Sequence, residues 1–267
     1  MNIIKFPGLG LEFQISRIAF HIGNIAVYYY ALCIVFGIII GLLLARFSKE
    51  KFGIPFDTVL EILIGGIIFG IVGARAYYVI FKMDYFLKNP TRILDIREGG
   101  IAIYGAIIAI IIYTIIYCKM KKVNFYNLAD YLIPYLSLGQ SFGRWGNFFN
   151  MEAYGNKTNS ILRMGIETAT FGYIEVHPVF FYESICTFLI FILLSIVKKR
   201  RKFEGQIFCL YFILYGFVRM FLEGLRTDSL RIGNVRVSQL LSFVLFFVFS
   251  IFYGIKRRKI RKEEIQK

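Results

Sequence analysis

Seven apolar stretches dominate the sequence, each close to the roughly 20 residues that a helix needs to cross a bilayer. They run over about 25–45, 58–81, 100–118, 128–149, 180–197, 206–222 and 237–255. No other feature narrows the fold so far, because in lipid only a helix or a closed barrel satisfies every backbone N–H and C=O. A barrel would read as short alternating strands, so the long unbroken runs predict helices. The hydrophobic share of 57% and a mean hydropathy of +0.62 agree, since soluble domains hold roughly 45–50% apolar residues. The expected fold is an all-α integral membrane protein, a seven-transmembrane helix bundle that forms one domain over residues 1–267.

Seven spans put the two termini on opposite sides. With the N-terminus outside, the cytoplasmic loops and tail carry 18 of the 32 Lys and Arg, the external segments carry 11, and Arg75, Arg144 and Arg219 lie within or at the ends of spans. The positive-inside bias therefore predicts an external N-terminus and a cytoplasmic C-terminus. Residues 150–176, rich in Asn, Thr and Gly, then form a small external cap. No charged leader with a small-residue cleavage site opens the chain, so the first span is expected to be retained. Its aromatic start, Tyr28-Tyr29-Tyr30, reads as an interfacial belt, and Gly37 with Gly41 as a face for close helix packing.

The net charge of +15 does not point to nucleic acid. The bases sit in short stretches between spans, as in loops that face anionic head groups. Cys33, Cys118, Cys186 and Cys209 form no CxxC pair, and the two histidines, His21 and His177, are far apart. No metal is expected. The glycine-rich stretches lack a phosphate-loop pattern, so no nucleotide or other cofactor is expected either.

Chemistry concentrates in residues 137–155. On a helix Gln140, Arg144 and Asn147 fall at i, i+4 and i+7 and share a face. An arginine at membrane depth costs a few kcal/mol or more unless it faces protein or a wet cavity, so this face marks a site. Arg75 and Arg219 also lie toward the outer ends of their spans, and Glu223 and Arg226 follow Arg219 at i+4 and i+7. Position alone leaves Arg75 equally open to a buried role or to snorkelling at the interface. Guanidinium groups gathered at one depth need anions. Glu152, Glu183 and Glu223 supply them in one reading, as an internal network that ties helices together. A bound phosphate supplies them in the other, because the arginine fork suits phosphate oxygens. Gly139, Gly143 and Gly146 clear one side of the helix for a partner helix or a head group, and Gly155 supplies a turn.

The run Gly143-Arg144-Trp145-Gly146-Asn147-Phe148-Phe149-Asn150-Met151-Glu152-Ala153-Tyr154-Gly155 resembles the signature of the bacterial prolipoprotein diacylglyceryl transferases. Other blocks resemble the same family, in family order: Tyr28-Tyr29-Tyr30, Gly73-Ala74-Arg75, Gly99-Gly100-Ile101-Ala102-Ile103-Tyr104-Gly105, His177-Pro178 to Tyr182-Glu183, and Arg219 to Asp228. Together they cover nearly the whole chain.

The resemblance implies transfer of the sn-1,2-diacylglyceryl group from phosphatidylglycerol to the lipobox cysteine of a prolipoprotein signal peptide, giving a thioether and glycerol 1-phosphate. It implies an enzyme of the bacterial cytoplasmic membrane with its site open to the outer leaflet. Its partners would be phosphatidylglycerol, lipobox-containing signal peptides and the bilayer itself. The leaving phosphate requires fixed positive charge, and the thiol, with a free pKa near ~8.5, must become thiolate. By similarity, Tyr104, Arg144 and Arg219 take part in the chemistry. Tyr30, Arg75, Arg144, Asn147, Asn150, Glu152, Gly155, His177, Glu183, Glu223 and Arg226 bind substrate, with Glu183 either a base or an ion-pair partner. Many family members have histidine where this chain has Tyr104, and tyrosine, with an ordinary pKa near ~10, either needs flanking arginines to act as a base or orients the substrate. A multi-span transporter of lipid or small anions is the competing expectation, although no internal repeat supports it.

Overall fold

A computed structural model describes residues 2–48, 52–96, 99–168, 172–227, 231–233 and 235–266. Asp228, the last residue of the block that starts at Arg219, lies outside the described residues. In chain order the elements are β1 (Asn2–Phe6), β2 (Leu11–Ile15), β3 (Ile18–Ile22), β4 (Ile25–Tyr28), α1 (Tyr29–Ser48), α2 (Phe56–Phe81), α3 (Met83–Lys88), α4 (Ile103–Lys121), α5 (Phe125–Asn150), β5 (Met164–Thr168), β6 (Gly172–Val176), α6 (Val179–Lys198), α7 (Gln206–Leu225), β7 (Arg231–Ile232), β8 (Val235–Arg236) and α8 (Val237–Ile265). They form two compact units, residues 1–45 with 129–267 and residues 46–128.

Among the described residues six helices are long and apolar enough to cross a membrane: α1, α2, α4, α6, α7 and α8. The helix that was expected as the fourth span is α5, which has 26 residues. At 1.5 Å per residue it is roughly 39 Å long, ample for a bilayer. It falls outside the six because polar residues along its whole length, Asn127, Asp130, Gln140, Arg144 and Asn147 among them, dilute its apolar surface. The chain is thus mostly helical, consistent with an integral membrane protein.

In the larger unit α1 lies on α5 through its buried glycines. A Cβ on Gly37 would come within 3.2 Å of the Gly139 Cα, and one on Gly41 within 3.5 Å of the Tyr135 Cβ. Small residues also let α5 meet α6. Ser137 Oγ donates to the Thr187 carbonyl at 2.8 Å, and Ser141 Oγ to the Ser184 carbonyl at 2.9 Å. Ile133, Ile190, Leu194, Ile207 and Tyr211 make the apolar core where α5, α6 and α7 meet.

The all-α expectation needs a correction in the cap. β1 and β2, from the first 15 residues, join β5 and β6 in a four-stranded antiparallel sheet of order β2-β1-β5-β6. Ile4 pairs with Ile166 and Met164 with Val176. The alternating residues Ile4, Ile15, Met164, Ile166, Ile174 and Val176 form one buried face, which closes on Phe148 and Phe180 at the ends of α5 and α6. The N-terminal segment is therefore part of the cap. Two short hairpins, β3–β4 and β7–β8, lead into α1 and α8.

In the smaller unit α2 and α4 pack without side chains at their closest point. A Cβ on Gly105 would strike the Gly73 carbonyl and Tyr77, so the two backbones touch there. Glu61 accepts from the Tyr117 hydroxyl at 2.6 Å and pairs with Lys121 at 3.2 Å, joining the other ends of the same helices.

Asp130, fully buried on α5, caps the start of α7 from outside that helix. Its Oδ2 accepts from the Gly205 amide and its Oδ1 from the Phe208 amide, both at 2.8 Å, and Arg201 pairs with it at 3.1 Å. A carboxylate placed there answers both the unpaired amides and the positive end of the helix dipole. Asp130→Ala is therefore expected to destabilise the fold by about 3 kcal/mol, because Arg201 and two amides lose their buried acceptor. Thermal unfolding in detergent checks it, and an unchanged midpoint would show that this cap contributes nothing.

Candidate active site

The polar cluster is built where α5, α6 and α7 meet in the larger unit. Its centre is Glu183, 1% exposed, at the first turns of α6. Arg144 Nη2 meets Glu183 Oε1 at 2.8 Å and Arg219 Nη1 meets Oε2 at 2.8 Å, so one carboxylate bridges two guanidinium groups from different helices. The Tyr215 hydroxyl donates to Oε1 at 3.1 Å. Arg219 is shared in turn, with Nη2 2.6 Å from Oε2 of the equally buried Glu223. That approach is an ion pair off the hydrogen-bonding angle, and Glu223 Oε2 has no hydrogen-bond partner among the described residues. A lone buried charge would be untenable here; alternating signs make the row tolerable.

From Arg144 the network runs to the end of α5. Arg144 Nη1 donates to Asn147 Oδ1 at 3.3 Å, while Asn147 Nδ2 and Asn150 Nδ2 donate to Glu152 Oε1 at 2.9 and 3.2 Å. Glu152 can turn back to the helix because its neighbours Met151 and Ala153 have φ of 54° and 56°. Such left-handed values are costly for residues with a Cβ and are held only by surrounding structure. The Glu152 amide supplies part of it, donating to the Asn147 carbonyl at 3.1 Å. Tyr30, at the start of α1, lays its ring on the bare face of Gly146.

Gly155 ties the chain after α5 to α6 and α7. Its amide donates to the His177 carbonyl at 2.9 Å, and it bridges Arg226 across an antiparallel pair. A Cβ would lie 2.8 Å from the His177 Cβ and 3.0 Å from the Leu225 carbonyl, so only glycine fits. His177 itself points its Nδ1 at the Tyr182 hydroxyl, 3.3 Å away. The helix face expected to carry Arg219, Glu223 and Arg226 together stops short. α7 ends at Leu225, and Arg226 is extended, with φ −76° and ψ 146°, because it enters the bridge with Gly155.

Arg75 and Tyr104 belong to the smaller unit. Arg75 is 9% exposed and does not snorkel. It donates from Nε to the Ile93 carbonyl at 2.8 Å, from Nη2 to that of Arg92 at 2.6 Å, and from Nη1 to those of Gly99 and Gly100 at 2.9 and 2.7 Å. Tyr104 is half-buried in the first turn of α4. No group of three or more His, Cys, Asp or Glu that could hold a metal occurs among the described residues.

The family model for prolipoprotein diacylglyceryl transferase matches residues 17–255. The chain belongs to the prolipoprotein diacylglyceryl transferase family. Relatives named phosphatidylglycerol–prolipoprotein diacylglyceryl transferase include one from Finegoldia magna, 47% identical over 91% of this chain and 96% of its own length. Another, from Bacillus cytotoxicus, is 41% identical over 94% of this chain and 95% of its own.

Against the prolipoprotein diacylglyceryl transferase blocks, the geometry draws Arg144, Asn147, Asn150, Glu152, Glu183, Arg219 and Glu223 into one network. Gly155, His177 and Arg226 form the backbone joint beside it, and Arg75 and Tyr104 sit together in the other unit. The sequence reading missed Tyr215 and Tyr211. Tyr211 donates to Gln140 Oε1 at 2.9 Å and stacks on Tyr215, with the ring centroids 5.5 Å apart and the planes 4° apart. Their signal was present, since Tyr211, Tyr215, Arg219 and Glu223 recur at steps of four and therefore share one face of α7.

Glu183→Gln keeps the shape of the side chain and removes the charge that two guanidinium groups share. It is expected to cost about 3 kcal/mol, against about 1 kcal/mol for Tyr215→Phe, which loses one hydrogen bond. Unfolding of the purified variants in detergent measures both, and equal losses would mean that the charge at Glu183 is not what holds the three helices.

Proposed function

We propose that this chain catalyses the reaction for which its family is named, moving a diacylglyceryl group from phosphatidylglycerol to a prolipoprotein. The chain is a transferase of lipoprotein biosynthesis. The observation that carries the reading is the pair Arg144 and Arg219 on one shared carboxylate, in a chain that belongs to this family. Glu183 and Glu223 hold the two guanidinium groups in place, and fixed, charged donors of this kind suit a phosphate that gains charge as its ester bond breaks.

In the finer form of the reading, the acceptor is the lipobox cysteine of a signal peptide. Its sulfur attacks the glycerol carbon of the diacylglyceryl group, the C–S bond forms, and the C–O bond to phosphate breaks. Glycerol 1-phosphate leaves, and the thiol proton passes to a base. Arg144 and Asn147 hold the lipid phosphate, and Arg219 stabilises the leaving phosphate or the thiolate. Glu183 and Glu223 orient the two arginines. Asn150, Glu152 and Tyr30 border the head group, and Gly155, His177 and Arg226 shape the joint beside it. Tyr104 either takes the thiol proton or orients the peptide.

The same proposal places α5 as a seventh span between α4 and α6, the N-terminus outside, and the C-terminus in the cytoplasm. The polar cluster and the β-sheet cap then face the outer leaflet of the bacterial cytoplasmic membrane, and the whole chain acts as one catalytic domain. The network of α5, α6 and α7 supports this, because it lets a helix with Arg144 lie at membrane depth. The positive-inside bias supports the orientation. The transporter alternative has no comparable support.

Transfer of labelled diacylglyceryl from phosphatidylglycerol to a synthetic lipobox peptide tests the reading. The purified wild type is expected to be active, and Arg144→Ala to lose roughly 10²–10³-fold in kcat, the usual loss when one charge-stabilising donor is removed. A wild type that transfers nothing in bilayers of phosphatidylglycerol would sink the proposal.

A further inference from the structure

Three consecutive residues of α2 hold three successive parts of the segment that leads into α4. Gly73 has its carbonyl against Gly105, where neither residue has room for a Cβ. The Ala74 carbonyl accepts the amide of Ala102 at 3.0 Å, one residue before α4 begins. Arg75 grips the carbonyls of Gly99 and Gly100 on one side and those of Arg92 and Ile93 on the other. The blocks Gly73-Ala74-Arg75 and Gly99 to Gly105, far apart in sequence, are thus one structural device. Tyr104 lies at its end, between the Ala102 anchor and the Gly105 contact.

The chemistry of this grip is specific to its residues. Gly99 and Gly100 have φ of 91° and 78°, and this turns both carbonyls toward the same Arg75 nitrogen. Residues with a Cβ resist that backbone, and at Gly100 a Cβ would also sit 2.5 Å from Arg75 Nη1 and 2.8 Å from the Tyr78 ring. The guanidinium lies over the rings of Tyr78 and Phe86, 5.8 and 5.2 Å from their centroids. A planar fork with five donors can bind four carbonyls on two sides at once, whereas an ammonium is a point donor. An arginine whose donors are spent in this way on backbone oxygens is poorly set to hold a lipid phosphate as well.

We infer that Arg75 is a positioning residue for Tyr104, fixing the Gly99–Ala102 segment so that the chain enters α4 with the phenol in its working place. The inference rests on the reading above that Tyr104 takes part in the transfer. It also replaces the expectation that Arg75 binds substrate.

The test compares Arg75→Lys, Tyr104→Phe and the double variant with wild type, by amide hydrogen exchange and by steady-state transfer to the lipobox peptide. In Arg75→Lys the Ala102 amide is expected to exchange roughly tenfold faster or more while the remainder of α2 and α4 stays protected, the mark of local opening. Its kcat should fall by about 10²-fold, the scale of a misplaced reacting group, with the KM for phosphatidylglycerol unchanged. Adding Arg75→Lys to Tyr104→Phe should then cost little more. A raised KM with unchanged exchange would overturn the inference and return Arg75 to the lipid. Multiplying losses in the double variant would overturn it too, showing that Arg75 acts elsewhere than through Tyr104. Full activity of Tyr104→Phe alone would remove the Tyr104 reading, and the inference with it. If Arg75→Lys does not purify, Gly100→Ala strains the same segment and is read by the same two assays.

Discussion

The structure depends on one buried carboxylate shared by two arginines. Glu183 meets Arg144 and Arg219 at the same 2.8 Å and so ties α5 and α7 to α6 through one buried charge. The geometry demands that α5, α6 and α7 come close, and the small residues that allow this are beside it on the same helices. Ser141 against Ser184 lies one turn from Arg144 and next to Glu183, and Ser137 against Thr187 lies one turn further along. Glu223 lies on the other side of Arg219, so the two arginines are met by two buried acids in a row of alternating sign.

A second constraint acts where α5 ends. Glu152 reaches Asn147 and Asn150 only because the chain turns through two left-handed residues, Met151 and Ala153. Gly155 then locks that turn against His177 and the last carbonyls of α7. The sheet over Phe148 and Phe180 fixes the same helix ends from the outside. Strain at Met151 and Ala153 is thus borne by a rigid cap, and a cap of loops alone would let it relax.

Much of this was legible in the sequence, and the rest was hidden for identifiable reasons. The apolar runs marked the helices, because a span must satisfy its whole backbone within itself. Arg144 stood out because a cation in such a run has few explanations. The cap strands did not stand out, although Ile4, Ile166 and Ile174 alternate with polar residues, because β1 pairs with a strand about 160 positions away. The extended Arg226 was misread as helical because the Gly155 bridge that ends α7 is a tertiary contact. Arg75 looked like an anion ligand. Its partners are backbone carbonyls, which no side-chain pattern can announce.

The helix that carries the cluster is also the one whose composition least resembles a membrane span. A face bearing Gln140, Arg144 and Asn147 lowers the mean hydropathy of α5, yet hydropathy averages around a helix while lipid touches only part of it. Gln140 is answered by Tyr211, Arg144 by Glu183, and Asn147 by Glu152, so the costly groups are paired within protein. The opposite face, with Phe142, Trp145 and Phe149, stays apolar. What matters in the bilayer is therefore the partner of each polar group and not the average over the segment. A helix can carry polar groups at the expense of its average apolarity when each of them is paired within the protein.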